Sequence, residues 1–367
     1  MKIEASSLKN IKEYDNHKVV YFLNKASGLY GIVAIHSMGT KGLSCFGATR
    51  FWSYTSYHDA LKDVLRLSKT MSYKSIMAGL PYGGAKGVII ASPENIKNKK
   101  FVLLTYANQI KGKKNFITGA DVGLKMEDLQ IMRQANKNIV GFKGDAVMFT
   151  SLGIYHSIKT CLENVFGTEN ITSRSFVIQG LGSVGMTLVK MLYGQAKHIT
   201  ATDIDPEKIR IAKAIFPDIE IVSPDEILNT PGDVFCPCAM GNVLNNKNIE
   251  TLKCRIIVGG ANNQLENKEI GDRLFQKGIL YAPDYVVNAG GLISVTDEYE
   301  HEEFSHDRIR RKVENIRNTL TDILDTSTKN HKATNLVADE IAEQRFKEQG
   351  WLEESTAKIA CDKIINQ

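Results

Sequence analysis

The stretch SFVIQGLGSVGMTLVKMLYG, starting at Ser175, constrains the fold more than any other. A short apolar run leads into Gly180, Gly182 and Gly185, with Ser183 and Val184 inside the turn, and then into a helix-like segment. Glycines spaced GxGxxG permit a tight turn and let backbone approach a pyrophosphate, whose charge the helix N-terminus meets. The next run, HITATD, ends in Asp203, about 20 residues on, where an acid binds the ribose hydroxyls of NAD and repels the extra phosphate of NADP. Asp205, followed by proline, reads instead as the start of the next helix. A glycine turn that binds nothing is the alternative.

Further short apolar runs follow, IEIV, DVFCP, CRIIVGG and GILYA, separated by helix-sized segments. That alternation predicts a parallel sheet covered on both faces, a Rossmann-type doubly wound domain. A chain of 367 residues exceeds what one core usually supports, so a second domain is expected. Before residue 145, VVYFLNK and YGIVAIH read as paired strands, and His58–Met71 reads as a helix with Leu61, Val64 and Leu65 on one face. This first part is therefore α+β. The expected division is 1–145 and 146–335, with a C-terminal helix at 336–367 packing back on the first domain through the polar link STKNHKATN (327–335).

Other classes are excluded. Lys plus Arg (46) barely exceed Asp plus Glu (41), and no dense basic block appears, so no nucleic-acid partner is expected. No apolar stretch nears the ~18–20 residues that cross a bilayer. The N-terminal MKIEASSLKN lacks the apolar core of a secretory signal, so no membrane association and a cytoplasmic location are expected. Cys236 and Cys238 form CxC, which lacks zinc-knuckle spacing, and HEEFSH places His301 and His306 five apart rather than four, off a shared helix face. No metal is expected.

LPYGGAKGVII sets Lys86 behind small residues. It is not a phosphate-binding loop, because Gly87 stands where a Ser or Thr would hold magnesium. Taken alone, Lys74 in MSYK reads as a solvated charge, and Asp121 in ITGADVG as readily a turn acid as a functional one.

Together with GATRFW, TSLGIY, ANNQLEN and APDYVVNAGG, these motifs resemble the glutamate/leucine/phenylalanine/valine dehydrogenases over nearly the whole chain. The resemblance implies two domains with a cleft between them, hinged near 146–150 and 326–335. It implies a homo-oligomer, and reversible NAD-dependent oxidative deamination of an L-amino acid to a 2-oxo acid, ammonia and NADH. By the same match Lys74 holds the substrate carboxylate, Lys86 is the catalytic lysine with its pKa lowered by burial and by Lys74, and Asp121 shuttles protons to the amino group. The small residues around Lys86 would admit substrate and cofactor. Asn263 and Asn288 become amide contacts to substrate and nicotinamide, and Thr150 lies near the carboxamide. Phe46 stands before Gly47 where glutamate-specific members carry a lysine, and Val295 stands where they carry a serine. A glutamate carboxylate would go unpaired there, so an apolar side chain is expected. Leu292, Val295, Phe46 and Gly119 would line a branched-chain pocket, with an aromatic substrate as alternative. An NAD-binding sensor without catalysis, or a pure assembly protein, are the rival classes.

Overall fold

The computed structural model describes residues 8–351 apart from 95, 114 and 240. Its contacts divide the chain into two units. One runs to Lys143 and resumes at Glu343; the other is Gly144–Ala342.

In the first unit, β1 (Lys18–Asn24), β2 (Leu29–Ile35), β3 (Cys45–Trp52), β4 (Gly83–Ile90) and β5 (Phe116–Ala120) form one sheet in the order β1-β2-β4-β3-β5. The β1–β2 and β2–β4 pairs are antiparallel, while β3 runs parallel to both β4 and β5. Helix α1 (Tyr57–Met77) joins β3 to β4, α2 (Lys99–Ile110) joins β4 to β5, and α3 (Met126–Ala135) follows. Alternation along each strand sorts residues onto two faces. Ala85 and Ile89 of β4 pack with Val102, Leu103 and Tyr106 of α2, whereas Val88 packs with Ala60, Leu61 and Val64 of α1. Even-numbered β4 residues, Lys86 among them, thus lie on the α1 face. Lys86 lies in mid-strand, paired with Ala34.

In the second unit, helix α4 (Ala146–Phe166) precedes β6 (Ser175–Gln179), α5 (Ser183–Leu192), β7 (His198–Thr202), α6 (Pro206–Ile215), β8 (Glu220–Ile221), β9 (Val234–Pro237), β10 (Ile256–Ile257), α7 (Lys268–Gln276) and β11 (Leu280–Tyr281). All pairings are parallel, in the order β11-β10-β9-β6-β7-β8. The chain winds outward from β6 to β8 and then returns to β9 on the other side of β6. This is the doubly wound order, and it opens a crevice beyond the carboxyl ends of β6 and β9. The apolar runs read from sequence are these six strands, and all but the edge strand β8 contribute buried residues to the cores on the two faces.

Helices α8 (Asp284–Val287), α9 (Gly290–Glu300), α10 (His306–Glu314), α11 (Ile316–Asn330) and α12 (Thr334–Glu348) complete the chain. The segment 327–335 is a turn inside the second unit rather than a link between units. His331 ends α11 with φ 54°, Ser327 donates to the Lys332 carbonyl, and Thr334 donates to the Tyr281 carbonyl. Those bonds tie it to its own sheet. Residues 146–150, expected as a hinge, are the first turn of α4, capped by Asp145. The passage back to the first unit falls within α12, at Ala342–Glu343. From there Glu343 accepts a bond from the Tyr73 hydroxyl (3.0 Å), and Phe346 packs edge-on against that ring. The part of the expected C-terminal helix beyond 351 lies outside the described residues.

Candidate active site

In the first unit the end of β5 meets the middle of β3 and β4. Asp121 directly follows β5, and its backbone N–H donates to the Thr49 carbonyl of β3 (3.2 Å). Its Oδ2 lies 2.6 Å from Lys86 Nζ and accepts a bond from Arg50 Nε at 3.0 Å. Arg50 in turn donates through a terminal nitrogen to Asp63 Oδ2 (2.7 Å), which also accepts from the Tyr54 hydroxyl (2.7 Å). Lys86 is only 6% exposed, so its charge is held away from water.

Burial pushes the Lys86 pKa down, Asp121 opposes that fall, and Arg50 adds to it. Burial also works against the Asp121 charge, but Lys86 and then Arg50 outweigh it and hold the carboxyl below the usual range. Arg50 is a cation that acts on Lys86 in this structure. It is a residue that sequence reasoning missed. Its signal was an arginine in the middle of a strand of apolar and small residues, CFGATRFW. The linkage has a definite sign. Asp121 is more acidic folded than unfolded, so its stabilisation is full above its unfolded value and is lost as pH falls below about 4. Urea melts from pH 6 to 3 should show the wild type losing more stability than Asp121→Asn over that interval.

The glycines around Lys86 meet a packing need. A Cβ on Gly84 would stand 2.0 Å from the Ser72 nitrogen of α1, and one on Gly83 would stand 1.9 Å from the Ser37 oxygen. A Cβ on Gly87 would meet the Tyr106 hydroxyl at 2.1 Å, which bonds Thr49 Oγ1 in a buried chain reaching Thr118. Gly47 is used the same way, its missing Cβ 1.8 Å from the Ala85 oxygen. The close contact at Gly84 seats the carboxyl half of α1, with buried Lys74 in its last turn, on β4. Phe46 pairs with Gly84 on one side and Ile117 on the other, two residues from Gly119. By strand alternation Phe46, Lys86 and Gly119 share the α1 face. The Phe46 ring is 1% exposed and 4.8 Å from the Tyr82 ring, so it acts as a wall rather than an open stacking platform.

In the second unit the glycine turn lies at the crevice between β6 and β9. Gly180 has φ 98°, a conformation that side chains avoid, and its N–H donates to the Thr202 carbonyl. A Cβ on Gly185 would stand 1.9 Å from the Gly180 oxygen, so α5 packs directly on the turn. Above Gly182 there is open space, and α5 has no side-chain cap there. The first amides of the helix, at Ser183 and Val184, are left for an outside acceptor, as a dinucleotide pyrophosphate would require. Asp203 ends β7; its Oδ2 accepts from Leu181 N–H (2.7 Å) and its Oδ1 from Asp205 N–H (2.9 Å). Each oxygen keeps a lone pair that a ribose hydroxyl can use. Asp205 caps α6, as its proline neighbour indicates. The residues present therefore fit a dinucleotide.

Asn288 is buried. Its amide nitrogen donates to the Gly260 carbonyl and to Asn262 Oδ1 (2.9 Å), while its Oδ1 is a buried acceptor with no bond. Asn263 adopts φ 53°, with its carbonyl accepting from Asn242 N–H. Buried Gln264 and Asp284 brace this loop from below, through bonds to Gly259, Ala261 and the Gln264 N–H. Thr150 bonds back to the Ala146 carbonyl and packs over Gly291, where a Cβ would come within 2.8 Å of its hydroxyl. Leu292 and Val295, three apart on α9, share one helix face, Leu292 buried and Val295 half-buried. Cys236 is buried in β9 and Cys238 follows it, both free thiols. His301, at the end of α9, is exposed, while His306 opens α10 against Phe149 and Phe304.

A Rossmann-type unit joined to an α+β unit with a buried lysine–aspartate pair defines a dinucleotide-dependent class of protein. Residues 141–350 match the family model Glutamate/Leucine/Phenylalanine/Valine dehydrogenase, and 17–138 match the Glu/Leu/Phe/Val dehydrogenase dimerisation domain; the chain belongs to this family. It is 36% identical to a leucine dehydrogenase of Bacillus cereus over 92% of each chain. It is 37% identical to an L-tryptophan dehydrogenase of Nostoc punctiforme, over 92% of this chain and 95% of that one. A crystal structure of the Nostoc punctiforme enzyme superimposes with a TM-score of 0.78 at 35% identity, covering 94% of this chain and 99% of that chain.

Proposed function

We propose that the protein is an NAD-dependent dehydrogenase that oxidatively deaminates an apolar L-amino acid, of the leucine or branched-chain class, reversibly to its 2-oxo acid and ammonia. The observation that carries this reading is the buried pair Lys86–Asp121, 2.6 Å apart, on the sheet face that holds Phe46 and Gly119. Gly180, Gly182, Ser183, Val184, Gly185 and Asp203 would hold the dinucleotide, with Thr150 and Asn288 toward the nicotinamide. When bound, NAD accepts the hydride that leaves the substrate α-carbon.

The chain's own residues do the rest. Lys74 pairs with the substrate carboxylate and fixes the α-carbon. Asp121 takes a proton from the substrate ammonium, so that an electron pair on nitrogen can form the C=N bond as the hydride departs. Lys86, in its amine form, then removes a proton from the water that attacks the imine carbon. The returned proton leaves with ammonia as the carbonyl forms. Burial makes the amine form accessible at a lower pH than for a free lysine, so deamination should rise with pH as Lys86 loses its proton. A pH profile of kcat/KM that falls as pH rises through the neutral range contradicts this role.

Phe46 replaces the cation a glutamate side chain needs, and its sealed ring favours an aliphatic substrate over a stacked aromatic one. Leu292, Val295 and Asn263 would complete substrate binding. Asp203 favours NAD over NADP. No described helix is long and apolar enough to cross a membrane. A cytoplasmic location and a homo-oligomer assembled through the first unit complete the reading. A panel of Leu, Val, Ile, Phe, Trp and Glu with NAD and NADP, followed by NADH absorbance, tests it. The expected order places Leu or another branched-chain substrate first, with Glu inactive. Preference for Trp or Phe assigns the pocket to aromatic substrates, and NAD binding without turnover of any of them makes the protein a sensor.

A further inference from the structure

The Lys86–Asp121 pair does not stand alone. Asp121 Oδ2 is shared by two cations from neighbouring strands, Lys86 of β4 at 2.6 Å and Arg50 of β3 at 3.0 Å. Arg50 is itself fixed. One terminal nitrogen reaches Asp63 Oδ2 on α1 at 2.7 Å, that oxygen also receives the Tyr54 hydroxyl at 2.7 Å, and the other Asp63 oxygen takes Arg66 at 3.0 Å. Guanidinium geometry makes both of its bonds at once, through Nε to one acid and a terminal nitrogen to the other, which an ammonium cannot do. Around the pair stand Arg50 from β3 with Tyr54 beyond it, Asp63 from α1, itself also held by Arg66, and the Val122 backbone.

We propose that Arg50 is a positioning residue for the reaction: braced by Asp63 and Tyr54, it anchors Asp121 through Oδ2 and sets the pH range over which the Lys86–Asp121 pair exchanges a proton. The proposal rests on the dehydrogenase reading. Arginine stays protonated throughout the working range, so Asp121 keeps a cationic partner even when Lys86 has given up its proton. Without that partner Asp121 would bind its proton more tightly each time Lys86 became neutral, and the shuttle would stall. Loss of Arg50 also removes a cation that discourages the charged form of Lys86. Both effects move the acidic limb of the activity profile toward higher pH.

The test compares kcat/KM against pH for wild type, Arg50→Gln, Arg50→Lys and Asp63→Asn. Arg50→Gln should move the acidic limb up by about one pH unit or more, lowering activity on that limb about tenfold. Arg50→Lys keeps the charge and should recover most of the position of the limb but not all of it. Asp63→Asn loosens the brace but also removes an anion that favours the charged form of Lys86, so its limb should lie well below that of Arg50→Gln. An equal fall at every pH with an unmoved limb would mean a merely structural role and overturn the proposal. The independent readout needs no turnover: acetylation of Lys86 by acetic anhydride across pH, followed by mass spectrometry. Its midpoint should rise in Arg50→Gln, and an unchanged midpoint overturns the proposal. If wild type oxidises no apolar amino acid the dehydrogenase reading falls, and this midpoint alone decides the influence of Arg50 on the pair. If Arg50→Gln does not fold, Arg50→Lys carries both measurements, and an unmoved limb together with an unmoved midpoint defeats it.

Discussion

Lys86→Ala should lower kcat by roughly 10²–10⁴-fold, the range general acid–base groups supply, while NAD binding stays intact. The structure explains why the two readouts separate. Lys86 stands in mid-strand in the first unit, whereas the glycine turn and Asp203 lie in the second. Truncation leaves Asp121 still bonded to Arg50, so no carboxylate is orphaned and the fold should persist. Stopped-flow absorbance gives the rate, quenching of protein fluorescence by NADH gives the binding, and a thermal melt checks folding. Turnover that survives in a folded Lys86→Ala protein would show that the assignment of Lys86 is wrong.

The second large effect is at Gly84. Its missing Cβ would lie 2.0 Å from the Ser72 nitrogen and 2.6 Å from the Met71 carbonyl carbon, both main-chain atoms that cannot rotate aside. Gly84→Ala must therefore push α1 away from β4, and α1 carries Lys74 and the Asp63 brace. We expect a loss of about 1–3 kcal/mol from overpacking, seen as a lower Tm, and a KM for the amino acid that rises more than the KM for NAD. Gly182→Ala is the contrasting case. Nothing stands within 4 Å of a Cβ there, so the melt should barely change while the KM for NAD rises. Equal melting temperatures for Gly84→Ala and wild type would show that α1 is not seated by this contact.

The contrast between these two glycines marks the limit of what motif reading conveys. In sequence, GGAKG and GLGSVG look alike, small residues beside a functional group. In the structure Gly83, Gly84 and Gly87 are filled by Ser37, Ser72 and Tyr106 from segments distant in the chain, and only Gly182 faces open space. Sequence distance hides which neighbour occupies the missing Cβ. The same holds for Arg50, whose two acid partners come from α1 and from the end of β5. The segment 327–335 misled for a related reason: a polar composition suggests a linker, but its hydrogen bonds to Tyr281 and Lys268 fold it into the second unit.

The doubly wound unit was legible without coordinates, because parallel strands buried on both faces must be short apolar runs, and crossover helices must separate them. The turn's geometry was legible because its glycines and the acid after the next strand lie within one βαβ segment. Residue types at Lys74, Lys86 and Asp121 could be tied to chemistry by family resemblance. Tertiary structure alone decided which groups touch: that Lys86 lies in a strand, that its carboxylate is shared with Arg50, and that Phe46 is sealed by Tyr82. Those are pairings across strands and helices far apart in the chain, set by register and packing, and no local pattern encodes them.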